Sequence, residues 1–68
     1  MDGASLGDRL INERVASELL GLSVITLRNW RFIGKGPSFV KLGRAVRYSY
    51  DDLKEYISQR KINPSADG

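Results

Sequence analysis

The 68-residue sequence predicts a mainly α-helical domain that also contains a β-hairpin. Three observations support this prediction. Two amphipathic segments are joined by the short turn Gly21-Leu22-Ser23, two runs of β-forming residues flank Gly43-Arg44, and a third amphipathic segment begins after Ser49. A chain of this length has room for one domain with a modest core.

The first helix is expected to begin after Asn12, a good N-cap, with Glu13 in its first turn where a negative charge suits the helix dipole. Leu10 and Ile11 should pack at its entry. Gly21 should end the helix in the left-handed conformation. The expected apolar arc comprises Val15, Ala16, Leu19 and Leu20, and the residues expected to face water are Glu13, Arg14, Ser17 and Glu18.

The second helix should be capped by Ser23 and extend from residue 24 to residue 32 or 33, with Gly34 as its stop. Leu27 and Trp30 lie three residues apart and form the edge that we expect to be buried. Two helices joined by a short turn that contains glycine are typical of a helix-turn-helix motif. In that motif the second helix lies in the major groove of DNA.

The other edge of the second helix carries hydrogen-bonding and charged side chains. Arg28 suits the edge of guanine and Asn29 suits adenine. The apolar residues of this helix exceed what one face can bury, so those at positions 24, 25, 32 and 33 contact DNA, the core or a partner protein. The candidate DNA-binding residues on this helix are Ser23, Val24, Ile25, Thr26, Arg28, Asn29 and Arg31.

The two β-rich runs, at residues 39–42 and 45–48, flank a Gly-first dipeptide and predict a hairpin with a type II′ turn. Alternation should place Val40, Leu42, Val46 and Tyr48 on the face that packs on the helices. The opposite, exposed face should carry Lys41, Ala45 and Arg47, with Arg44 at the tip.

A third helix should begin at Ser49, which with Asp52 resembles a capping box, and continue to about Arg60. Its apolar stripe comprises Leu53, Tyr56 and Ile57. The resulting order is a helix-turn-helix, a two-stranded wing and a C-terminal helix, which is a winged helix-turn-helix. We expect residues 10–61 to form this domain, with flexible tails at 1–9 and 62–68.

The net charge of +3 is unevenly distributed along the chain. Residues 19–50 contain no acid and six bases, which are Arg28, Arg31, Lys35, Lys41, Arg44 and Arg47. An acid-free block that spans a helix and a hairpin favours a surface facing a polyanion. We expect phosphate contacts from Arg31 and from the candidate wing and backbone residues Lys35, Lys41, Arg44 and Arg47.

The composition excludes several classes of function. The chain contains neither Cys nor His, so disulfides, the usual zinc sites and a histidine-based triad are excluded. The carboxylates of Asp51, Asp52 and Glu55 are explained as the start and solvent face of a helix. No apolar run approaches the roughly 18–20 residues of a membrane span, and no signal-peptide pattern is present. We expect a cytoplasmic protein that is not an enzyme and binds no cofactor or metal.

Several short motifs match a known family: Ala16 with ELLGLS at 18–23, TLRNW at 26–30, GKGP at 34–37, VKLGRAVRY at 40–48 and DDLKEYI at 51–57. Residues 10–60 thereby resemble the small excisionases and AlpA-type phage regulators. These are winged helix-turn-helix proteins related to the DNA-binding part of MerR regulators. At positions 24, 25, 32 and 33 this chain has apolar residues where the family commonly has polar or charged ones.

The resemblance implies a bacterial or phage-encoded, nucleoid-associated protein whose partner is double-stranded DNA. The helix at 24–33 would enter the major groove and the hairpin at 39–48 would lie along an adjacent minor groove or the backbone, with phosphate contacts from Arg31, Lys41, Arg44 and Arg47. Family members promote excision of a prophage or mobile element by bending attachment-site DNA with an integrase, or regulate transcription.

Two alternatives to an excisionase remain open from the sequence. The first is a small MerR-like or AlpA-type transcriptional regulator that lacks an effector domain and binds no small-molecule effector. The second is a protein-interaction adaptor that uses an apolar patch around Val24, Ile25 and Phe32. In either DNA-binding role the free protein should be a monomer or weak dimer, with contacts to neighbouring copies on DNA.

Overall fold

The computed structural model describes residues 9–64. The elements follow in the order β1 (Leu10–Asn12), α1 (Glu13–Leu20), α2 (Val24–Phe32), β2 (Val40–Leu42), β3 (Ala45–Ser49) and α3 (Tyr50–Gln59). Helices α1 and α2 form the helix-turn-helix, β2 and β3 form the wing, and α3 packs behind them. The predicted winged helix-turn-helix is confirmed. The tails expected at 1–9 and 62–68 lie for the most part outside the described residues.

Local hydrogen bonds define the helix ends at the residues that the sequence indicated. The side chains of Asn12, Ser23 and Ser49 accept hydrogen bonds from the backbone N–H groups three residues further on, at 2.9, 3.0 and 3.1 Å. The turn after α1 is a Schellman motif, in which Gly21 N–H donates to Glu18 O and Leu22 N–H donates to Ser17 O. These bonds fix the short connection between α1 and α2.

The sheet contains a third strand that the sequence analysis did not predict. β1 pairs with β3 in antiparallel fashion, with Ile11 opposite Tyr48, and the strand order is β1-β3-β2. We expected Leu10 and Ile11 only to pack at the entry to the first helix. A strand of three residues is too short to show alternation, and its pairing partner lies more than 30 residues away. β1 therefore ties the start of α1 to the wing.

The prediction for the two faces of the wing was wrong for β2. The register places Val40 opposite Arg47, Lys41 opposite Val46 and Leu42 opposite Ala45. Directly opposed residues share a face, so Lys41 lies on the face of Val46 and Tyr48, whereas Val40 and Leu42 lie on the face of Arg47. The two residues that flank a two-residue turn pair with each other and therefore share a face. The prediction had placed these residues, Leu42 and Ala45, on opposite faces.

The core is built where α1, α2, β3 and α3 meet. Its fully buried apolar residues are Ala16, Leu27, Tyr48 and Leu53, and the partly buried residues packed against them are Ile11, Leu20, Trp30 and Val46. The prediction for α1 was only partly right, because Val15 and Leu19 are exposed and Ser17 is buried. Ser17 is accommodated because its hydroxyl donates to the carbonyl of Arg14 at 2.7 Å.

Candidate nucleic-acid interface

The outward face of α2 is determined by the residues that the helix buries. Leu27 is fully buried and Trp30 packs on the core, with its ring centroid 6.5 Å from that of Tyr56. Residues on the opposite side of a 3.6-residue helix are then Ile25, Arg28, Asn29 and Phe32. Each of these four is exposed. This outward stripe is the part of α2 that a groove of DNA can reach.

The other candidate residues of α2 have structural partners. Ser23 and Thr26 form the N-cap, and their hydroxyl oxygens lie 3.0 Å apart. Val24 is half-buried at the same end of the helix. The cap leaves the Ser23 and Thr26 side chains beside the helix N-terminus, where backbone N–H groups and the helix dipole favour a phosphate.

Arg28 is held by an acid from the preceding helix. Glu13, the first residue of α1, accepts hydrogen bonds from Arg28 Nη2 at 2.6 Å and from Arg28 Nε at 3.2 Å. The hydrogen bonds from Arg28 lower the pKa of Glu13, with a further contribution from Arg31, so the pair is charged at neutral pH. Glu13 was predicted to face water, but its carboxylate is instead the counter-charge of the second helix.

Arg31 lies deeper than its neighbours and joins three elements. Its Nη2 lies 3.1 Å from Glu13, its Nη1 donates to the hydroxyl of Tyr48 at 2.9 Å, and its guanidinium carbon lies 5.7 Å from the centroid of the Phe39 ring. Only 17% of the side chain is exposed. Burial lowers the pKa of Arg31, but the hydrogen bonds with Tyr48 and Glu13 outweigh it and raise the pKa overall. Arg31 therefore fixes α2 against the sheet.

A cationic groove of about 510 Å³ lies between α2 and the wing. Among the described residues, five arginines and one acid line the groove together with Asn12, Ala45 and Val46. The charged residues are Arg14, Arg28, Arg31, Arg44, Arg47 and Glu13. Four of these arginines, all except Arg14, were predicted from the sequence as DNA-binding residues. Arg14 was expected only to face water on the first helix, and it lines the groove because α1 lies beside the wing.

The two candidate lysines lie outside this groove. Lys41 is exposed on the hairpin face opposite to Arg47, which follows from the register of β2 and β3. Lys35 follows α2, where its backbone N–H donates to Trp30 O at 2.7 Å and its side chain borders a separate depression beside Pro37 and Phe39. The sequence placed Lys41 and Arg47 on a single basic face, and the structure separates them.

Two further observations concern the described residues alone. No helix within residues 9–64 combines the length and apolar character needed to cross a bilayer. Within the same residues, the carboxylates do not gather into a group of three or more that would hold a metal ion.

The geometry of α2 and the wing agrees with a comparison against known families. A family model described as a helix-turn-helix domain matches residues 13–61. The match extends from the start of α1 to just beyond the end of α3, and so includes the entire groove-lining surface except Asn12. No curated protein matches the chain.

Proposed function

The chain belongs to the helix-turn-helix domain family, and we propose that this small DNA-binding protein is an excisionase of a prophage or mobile element. In this role it binds attachment-site DNA sequence-specifically and bends it for an integrase. Helix α2 enters the major groove and the wing follows the adjacent backbone.

The observation that carries the proposal is the cationic groove between α2 and the wing. Arg28 from α2 and Arg44 and Arg47 from the wing converge there within a volume of about 510 Å³. Positive charge on two separate elements allows one duplex to be held at two points of its backbone. A protein that holds duplex DNA at two points favours bent DNA where bending adds phosphate contacts.

Some of the proposed contacts position the protein on DNA, and others read the base sequence. Arg44 and Arg47 contact phosphates from within the groove, whereas Lys35 and Lys41 lie outside it and contact phosphates that flank the groove. Arg28 and Asn29 read base edges from the outward stripe of α2. Ser23 and Thr26 lie at the N-terminus of α2, where the cap hydroxyls and backbone N–H groups contact a phosphate. Arg31 acts by positioning α2, since most of its side chain is buried against Tyr48 and Glu13.

The experiment is a gel-shift titration with DNA flanking the gene of this protein, including any integrase attachment site. Random duplex serves as competitor, and the titration is repeated at two salt concentrations. Specific complexes whose mobility changes with the position of the site in the fragment support binding with bending. Addition of the integrase encoded by the same element should then raise the yield of excised product.

A transcriptional regulator is the second candidate, because the same bent complex at a promoter controls initiation. Stimulation of a promoter fragment in a transcription assay, without stimulation of excision, would replace the excisionase proposal with this one. A protein adaptor is the candidate of another class, favoured by the exposure of Phe32 and Ile33. Absence of DNA binding at low salt would favour the adaptor.

A further inference from the structure

The outward stripe of α2 contains two large apolar side chains that the core does not use. Ile25 is 66% exposed and Phe32 is 91% exposed, although both lie in a helix whose other side packs tightly. They are separated by seven residues, which is two helical turns, and therefore share one face about 10.5 Å apart. Asn29 and Arg28 lie between them on that face.

The setting of these residues identifies the chemistry of their partner. The stripe borders the cationic groove, which Arg28 also lines, so whatever covers the stripe meets concentrated positive charge beside it. The partner must therefore offer an apolar group to the stripe and negative charge to the groove. Duplex DNA offers both, because the major groove exposes the C5-methyl group of thymine between two rows of phosphates. Apolar side chains contact that methyl group, and an amide such as that of Asn29 pairs with the N6 and N7 atoms of adenine.

We propose that Ile25 and Phe32 are specificity-determining residues that contact the C5-methyl groups of two thymines in the major groove. This inference rests on the proposed DNA-binding function and specifies the sequence it selects. The 10.5 Å separation corresponds to about three base pairs of duplex. The preferred site therefore contains two thymines about three base pairs apart, with an adenine contacted by Asn29 between them.

The test uses 2′-deoxyuridine, which differs from thymidine only by the absence of the C5-methyl group. Duplexes are first selected by the full chain from a random pool, and the best of them is resynthesised with deoxyuridine at one thymidine position at a time. Substitution at each of two positions should weaken binding about fourfold, since removing one methyl from water is worth about 0.8 kcal/mol. Substitution at other positions should leave the affinity unchanged.

Matched variants assign each methyl group to its side chain. Ile25→Ala should abolish the difference between thymidine and deoxyuridine at one position, and Phe32→Ala should abolish it at the other. Both variants should remain folded because the side chains are exposed. Ile62→Ala is the control, since Ile62 is 84% exposed but follows α3, and it should retain both differences.

The outcomes separate this inference from the proposed function. If the selected duplex binds more tightly than a scrambled one but deoxyuridine has no effect at any position, DNA binding stands and the methyl contacts are refuted. If Ile25→Ala weakens binding to the thymidine and deoxyuridine duplexes equally, the methyl contact of Ile25 is refuted. If no duplex is preferred over scrambled DNA, the proposed function itself fails and the stripe is assigned to a protein partner.

Discussion

The carboxylate of Glu13 lies 2.6 Å from Nη2 of Arg28, and this ion pair joins the first residue of α1 to the outward stripe of α2. The same carboxylate lies 3.1 Å from Arg31. One acid thus sets the conformation of two arginines on the helix that we assign to the major groove. Because 60% of the Arg28 side chain remains exposed, the pair orients Arg28 without removing it from the surface.

We expect the stability of the protein to decrease with acid through Glu13. The hydrogen bonds from Arg28 depress the pKa of Glu13 below its ordinary value of 4.5 in the folded state, so its contribution is fully present above that value. It is lost as the pH falls below 4.5 and through the depressed folded-state pKa. Glu13→Gln should lower the free energy of unfolding at pH 7 by about 1 kcal/mol and flatten its dependence on pH below 4.5.

Denaturant unfolding at several pH values measures this effect. Glu18→Gln is the matched control, because Glu18 is exposed and lies 3.9 Å from Arg14 in a surface pair. Equal pH profiles for Glu13→Gln and the parent protein would show that the ion pair contributes nothing to folding.

Tyr48→Phe should destabilise the domain by about 1 kcal/mol, since it removes the acceptor for Arg31 Nη1 from a partly buried contact. The ring of Tyr48 is 1% exposed and would stay packed. Tyr50→Phe serves as control, because Tyr50 contacts Arg9 and Lys54 through its ring, and should change stability by less than about 0.5 kcal/mol. Thermal melts of the two variants measure the difference, and equal melting temperatures would contradict the proposed positioning role of Arg31.

The parts of this fold that were predictable from sequence depend on local interactions. The caps at Asn12, Ser23 and Ser49 each involve a backbone N–H three residues away, so residue type and spacing were sufficient. β1 and the register of β2 depend on pairing between distant segments, and a slip of one residue reverses every face.

The same distinction applies to the candidate site. The sequence indicated that Arg28, Arg44 and Arg47 belong to one basic surface, because they fall in an acid-free block. It gave no sign that Glu13, 15 residues before Arg28, would pair with that arginine. Nor did it show that Arg31 would be mostly buried. Helical periodicity places Arg31 near the boundary of the apolar face, and Arg31 is buried because Tyr48 lies close enough to accept its hydrogen bond.

Gly36→Ala should destabilise the domain more than Gly43→Ala. Both glycines have positive φ, at 90° and 63°. An added Cβ at Gly36 would lie 2.7 Å from Cε3 of Trp30, whereas at Gly43 nothing lies within 4 Å. Both substitutions strain the backbone, but only the one at Gly36 also meets a side chain, so we expect about 1 kcal/mol or more of additional loss at Gly36 from displacement of the indole. Denaturant unfolding of both variants tests this, and equal losses would show that Trp30 moves aside freely.

Arg47→Ala and Arg28→Ala should weaken DNA binding in different ways without unfolding the domain. Loss of a phosphate contact at Arg47 should weaken binding to all sequences and reduce the salt slope by about 1. Loss of a base contact at Arg28 should relax the preference at one base pair by about 1–3 kcal/mol. Lys61 lies outside the proposed interface, so Lys61→Ala is the control for the loss of one positive charge. Affinity retained by both arginine variants at moderate salt would refute the proposed surface.

The proposed sequence-specific DNA binding by α2 and the wing is tested by comparing the affinities of two duplexes. Fluorescence anisotropy of a duplex selected by the full chain is measured at about 150 mM salt, beside a scrambled duplex of the same composition. We predict that the selected duplex binds about 10³-fold more tightly. Equal affinity for the two duplexes, lost steeply as salt is raised, would show that the interface is a nonspecific basic surface and would refute sequence-specific binding.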